Sequence, residues 1–109
     1  MSKTLPSRAR IPVPMEKIAD FCRRWGVVEF ALFGSILRDD FRPDSDVDVL
    51  VTLGSMSNVL LDDWIRMRDE LKALFGRDVD LVDRESVERS LNWYRKRIIF
   101  ESVEVLYAA

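Results

Sequence analysis

Asp46 and Asp48 stand two residues apart in the run D-S-D-V-D-V-L-V-T-L, where acidic and apolar residues alternate. Residues two apart on a strand share a face, roughly 6.6 Å apart along it. The run therefore predicts a strand with both carboxylates on one side and Val47, Val49 and Val51 on the other. Two carboxylates at that spacing suit a pair of divalent cations, which in two-metal phosphoryl-transfer sites lie about 3.5–4 Å apart. Half-buried alternation alone explains such a pattern equally well. The added chemistry comes from Gly34-Ser35, which follows an apolar run and precedes Ile36-Leu37-Arg38. A glycine turn between a strand and a helical turn directs backbone N–H groups outward and makes a seat for phosphate.

The elements that must position these groups follow from hydrophobic periodicity. Met15, Ile18, Ala19, Phe21, Cys22 and Trp25 recur at helical spacing between Pro14 and Gly26, predicting a helix over 15–25 with one face on a sheet. The β-branched and aromatic segment 27–33 reads as the first strand, 46–53 as the second and 79–82 as the third. Between the second and third, Leu60 to Phe75 forms a long amphipathic helix stopped by Gly76, with Ser57 as its expected cap. A helix of this length between strands implies a crossover connection and an α/β sheet. Ser86 is the expected cap of a further helix over 87–100, and 103–107 reads as a short edge strand. Residues 1–14, with Pro6, Pro12 and Pro14, form an extended lead-in, and 15–109 form one domain. The loop 39–45, with Pro43 and four charges, is expected to be exposed and adaptable.

Seventeen basic and nineteen acidic residues give a net charge of −2, without the positive footprint that nucleic-acid binding requires. A direct nucleic-acid substrate is therefore not expected. No apolar run is long enough to span a membrane, and the N-terminus has no secretory apolar region, which points to the cytoplasm. The absence of histidine leaves catalysis to carboxylates and bound metal. Cys22, the single cysteine, falls in an apolar helical pattern and reads as a core thiol.

Gly34-Ser35, ten intervening residues and Asp46-x-Asp48 resemble the signature of the DNA polymerase beta-like nucleotidyltransferase superfamily. Ser45 directly before the acidic pair, Arg38 three residues after the serine and the apolar continuation V-D-V-L-V strengthen the likeness. It covers about the last 95 residues, a span of the size of one domain, and is greatest to the minimal nucleotidyltransferase (MNT) antitoxins paired with HEPN-domain toxins. The resemblance implies an α/β (α+β) fold, a small mixed sheet of three to four strands flanked by helices. It also implies transfer of AMP from ATP to a tyrosine of the HEPN toxin, with two Mg²⁺ per site on Asp46 and Asp48. Gly34 would let the backbone approach the phosphates, Ser35 would hold their β/γ end, and Arg38 would neutralise a phosphate unless it is only a surface arginine.

The family's third carboxylate falls at Asp80, with Asp78 the competitor on the same strand face. Asp80 is preferred because it sits deeper in the apolar run, where an unpaired charge is costly. Family members often carry a glycine after the arginine, whereas here Asp39 and Asp40 follow Arg38. Other activities remain open: a non-catalytic antitoxin that masks its toxin by binding, or a small-molecule nucleotidyltransferase. The 39–45 loop and the Arg95-Lys96-Arg97 cluster are the surfaces left for an acceptor protein, the cluster being otherwise a solvated helix face. Homo-oligomer and hetero-oligomer with the toxin are both compatible with the sequence.

Overall fold

The computed structural model describes residues 13–37, 41–55 and 59–109. Helix α1 (Met15–Trp25) and strand β1 (Val27–Phe33) occupy the predicted spans. A short 3₁₀ turn follows at Gly34–Leu37. Strand β2 (Val47–Leu53) leads to helix α2 (Leu61–Phe75) and strand β3 (Val79–Asp83). Helices α3 (Arg84–Arg89) and α4 (Trp93–Glu101) precede the last strand, β4 (Val103–Ala108).

The four strands form one mixed sheet in the order β3-β2-β1-β4. β1 is antiparallel to both its neighbours, and β2 and β3 are parallel, as the α2 crossover requires. β4 lies at an edge, as its short alternating sequence suggested. One face of the sheet carries Phe30, Leu32, Val47, Val49, Val51, Val79 and Leu81 and is covered by Ile18, Phe21 and Cys22 of α1 and Met67 and Leu71 of α2. Phe21 meets Phe30 edge to face at 6.1 Å, a pairing worth about 0.5–1.5 kcal/mol beyond the area it buries. Arg24 of α1 bonds Glu70 of α2, which also accepts a 2.9 Å hydrogen bond from Trp25 Nε1. The Arg24 guanidinium beside Glu70 holds that carboxyl below its usual range, with Trp25 adding to the effect. Cys22 is fully buried, and desolvation pushes its thiol up to about 12 against the smaller opposing effect of Arg23, consistent with an inert core thiol.

The opposite face carries Ala31, Phe33 and Leu50, packed beneath Val87 of α3 and Ile99 of α4. Here the structure departs from the single helix expected over 87–100: two helices meet at Ser90-Leu91-Asn92. The second starts afresh because the Asn92 side chain accepts a hydrogen bond from Arg95 N at 3.0 Å. Asp83, not Ser86, caps the first. It accepts from Glu85 N at 3.3 Å, and the Ser86 hydroxyl donates to its other oxygen at 3.2 Å. Helix α2 starts at Leu61, with Asp63 accepting from Leu60 N at 3.1 Å. Ser57, expected as its cap, lies outside the described residues. Among the described residues no helix is long and apolar enough to cross a membrane.

Candidate active site

Strand register builds the site. Phe33 pairs with Asp48, and Asp48 pairs with Asp80. Val103 of β4 pairs with Phe33 on its other side. One row across all four strands thus runs Val103, Phe33, Asp48, Asp80, apolar on the side of α4 and acidic on the side of β3. Neighbouring strands lie about 4.8 Å apart, so Asp48 and Asp80 are adjacent on one face. Asp46 enters two residues before Asp48, at the mouth of β2. Asp46 and Asp80 are exposed and Asp48 is half-buried.

The first strand is tied to the acidic face through Gly34. Its φ is +77°, and a Cβ at this position would collide with Asp48 Oδ2. The missing side chain is the space that the Asp48 carboxylate occupies, and glycine also tolerates the left-handed backbone without the Cβ penalty. Ser35, half-buried, follows at once in the 3₁₀ turn. The glycine turn and the acidic strand expected from sequence are therefore in direct contact. Arg38 lies outside the described residues, as do Asp39 and Asp40.

Asp80 was preferred over Asp78 on the ground of depth, and the structure corrects that ground: both are exposed. Register and charge separate them. Asp80 stands beside Asp48, whereas Asp78 forms an ion pair with Lys72 at 3.3 Å and lends its carbonyl to Val47 N at 2.9 Å. Asp46 and Asp80 make no ion pair with any described residue. Hard oxygen donors gathered at one end of a sheet are the donor set a small divalent cation takes. Among the described residues, no three carboxylates already close into a cage.

Beside Asp46 is an open cavity of about 430 Å³ lined by Ser45, Asp46, Lys72, Arg77 and Asp78 among others. One of its residues, Arg77, escaped sequence reasoning. Arg77 donates long hydrogen bonds to the carbonyls of Arg42 (3.3 Å) and Ser45 (3.4 Å) and stacks on Phe41, 4.7 Å from the ring centroid. Phe41 itself packs against the core, so the described part of the 39–45 loop is anchored there rather than freely adaptable. Ser45 closes a turn, its hydroxyl accepting from Arg42 N at 2.9 Å. Nothing in local spacing marks Arg77, because its partners lie on the far side of α2.

The chain matches the model of the nucleotidyltransferase domain over residues 15–106. It is 38% identical over 68 residues to the protein adenylyltransferase MntA of Thermococcus cleftensis, covering 62% of this chain and 67% of that one. It is 33% identical over 90 residues, 83% of this chain and 91% of the other, to a Methanocaldococcus jannaschii protein described as a protein adenylyltransferase. Among solved structures, a minimal nucleotidyltransferase superposes with a TM-score of 0.61 at 29% identity, over 83% of this chain and 86% of that one. A chain from the tri-AMPylated Shewanella oneidensis HEPN toxin in complex with MNT antitoxin superposes with a TM-score of 0.60 at 22% identity, over 87% and 70%. The last likeness bears on fold alone. With the mixed sheet, the glycine turn and the acidic row in place, this chain belongs to the nucleotidyltransferase domain family, enzymes that transfer a nucleotidyl group.

Proposed function

We propose that this chain transfers AMP from ATP to a tyrosine hydroxyl of a HEPN-domain toxin in the cytoplasm and thereby neutralises it. The observation that carries the reading is the lodging of Asp48 against Gly34 while it stands in register with Asp80. That contact brings a phosphate seat and an acidic face into one site. The names of the relatives, and the HEPN toxin AMPylated in its complex with an MNT antitoxin, point the same way.

In the reaction the tyrosine oxygen bonds to the α-phosphorus, the bond to the β-phosphate bridge breaks, and pyrophosphate leaves. Asp46 and Asp48, with Asp80, would hold two Mg²⁺, which when bound neutralise charge building on the phosphate oxygens. The Gly34-Ser35 turn receives the β/γ end of the triphosphate through backbone N–H groups and the Ser35 hydroxyl. Arg38 supplies a further cation. Asp80 takes up the hydroxyl proton, the task a histidine performs in many other enzymes. Incubating this protein with its HEPN partner and Mg-ATP, then measuring intact mass, tests the whole reading. The partner should gain one or more nucleotidyl units. Tight binding with no mass gain would leave masking as the function.

Asp80→Asn should separate binding from chemistry. Mg-ATP affinity, read by calorimetry, is expected to change little. Transfer is expected to fall by about a hundredfold or more. Loss of nucleotide binding together with activity would make Asp80 part of the nucleotide seat instead.

The acceptor should dock on α4. Trp93, Tyr94 and Ile98 are exposed there, as is Leu91 just before the helix, at 98%. Only Ile99 of this helix enters the core. Arg95 and Arg97 stand among these exposed residues. Arg95→Glu combined with Arg97→Glu is expected to weaken partner binding at least tenfold and leave Mg-ATP binding unchanged. The wild-type affinity should also fall as salt rises, because charges beyond about 8 Å are screened at physiological ionic strength. Unchanged partner affinity in the double variant would rule this face out.

A further inference from the structure

We infer that Arg77 is a positioning residue that holds the approach to Asp46. Asp46 follows directly on Ser45, and Arg77 binds the Ser45 carbonyl, the Arg42 carbonyl and the Phe41 ring together. The three contacts come from one planar cation. Nη1 reaches both carbonyls while the guanidinium lies over an aromatic ring that also packs against the core. Among the described residues the Arg42–Ser45 turn otherwise has two hydrogen bonds of its own, Ser45 N to Arg42 O at 3.0 Å and Arg42 N to the Ser45 hydroxyl at 2.9 Å.

Among the described residues Arg77 forms no ion pair, so its charge is spent on two carbonyls and a ring, beside the cavity that Ser45, Asp46 and Arg77 line. Asp46 stands outside the β2 ladder, which begins at Val47. The strand hydrogen bonds that fix Asp48 therefore stop short of it, and the turn that Arg77 holds is what carries the backbone into Asp46. This deepens the reading of Asp46 as a metal ligand and rests on it. A ligand misplaced by about 1 Å can cost roughly a hundredfold in rate, which makes the hold on this turn a matter for catalysis and not only for stability.

The test compares Arg77→Ala, Arg77→Lys, Phe41→Leu and Asp46→Asn in the full chain. The readouts are amide hydrogen exchange over residues 41–47, Mn²⁺ binding by calorimetry without nucleotide, and transfer kinetics. Arg77→Ala should exchange faster at Ser45, bind Mn²⁺ more weakly and lose about ten- to a hundredfold in kcat with little change in KM for ATP. Added guanidinium ion should restore part of that rate to Arg77→Ala and none to Asp46→Asn. Arg77→Lys, which keeps the charge but cannot stack as a plane, should resemble Arg77→Ala. Phe41→Leu should move the same readouts in the same direction by less.

Arg77→Lys at wild-type levels throughout would reduce the residue to a charge and overturn the inference. So would unchanged Ser45 exchange and Mn²⁺ affinity in Arg77→Ala. Phe41→Leu unchanged in every readout would overturn it even if Arg77→Ala fails to fold. Wild-type Mn²⁺ binding and transfer in Asp46→Asn would instead defeat the metal-ligand reading itself, whatever exchange shows at Ser45.

Discussion

Asp48→Asn, and separately Asp46→Asn, should abolish nucleotidyl transfer while leaving the fold in place. Each removes one of the oxygen charges that the proposed cations would require, and several kcal/mol of transition-state stabilisation corresponds to roughly three orders of magnitude in rate. The two differ in what they do to the resting protein. Asp46 is exposed and unpaired among the described residues, so relieving its charge should change stability by no more than about 0.5 kcal/mol. Asp48 is half-buried against Gly34, and asparagine preserves its shape. Intact-mass assays of the acceptor and thermal melts of both variants measure the two effects. Transfer near wild-type rates in either variant would remove that residue from the metal site.

Gly34→Ala should cost both stability and activity. The left-handed backbone penalty for a residue with a Cβ is about 1–2 kcal/mol, and the new methyl meets Asp48 Oδ2, so one of the two must move. We expect a loss of about 2 kcal/mol or more, a fall in Tm of at least roughly 8 °C for a domain of this size, and transfer too slow to measure. A double-mutant cycle isolates the contact: with Asp48→Ala in the background, Gly34→Ala should cost clearly less. Equal costs in both backgrounds would mean that backbone conformation alone, and not the carboxylate, demands glycine here.

Much of this site was legible because its parts are local. Pro14 and Gly26 bracket α1 and the β-branched run of β1 is uninterrupted, so both elements occupy their predicted spans. The alternation placed Val47, Val49 and Val51 on the core face of β2 as expected, since strand period is a property of the chain itself, although Asp46 stands just before the strand and not in it. The failures came where distant residues decide. Trp93 and Tyr94 read as apolar members of one long helix, yet the chain breaks at Ser90-Leu91-Asn92 and leaves both largely exposed. Asp80 was chosen for depth, and what distinguishes it is its register with Asp48, a pairing made possible only by the α2 crossover. Arg77 gave no signal, because both carbonyls it binds come from the loop before β2.

The row Val103, Phe33, Asp48, Asp80 has a consequence for how the protein comes into being. Its members are contributed by four strands spread through the chain, and pairings between remote segments form late because their loops must first be closed. On a ribosome, β1 and β2 emerge first and can pair while the rest is unmade, which already seats Asp48 against Gly34. Asp80 can join only after α2 has been synthesised and folded back across the sheet, and β4 completes the other edge last. The contact between Gly34 and Asp48 is thus laid down early in synthesis and the complete acidic row late, so a nascent chain holds half of this arrangement before the other half exists.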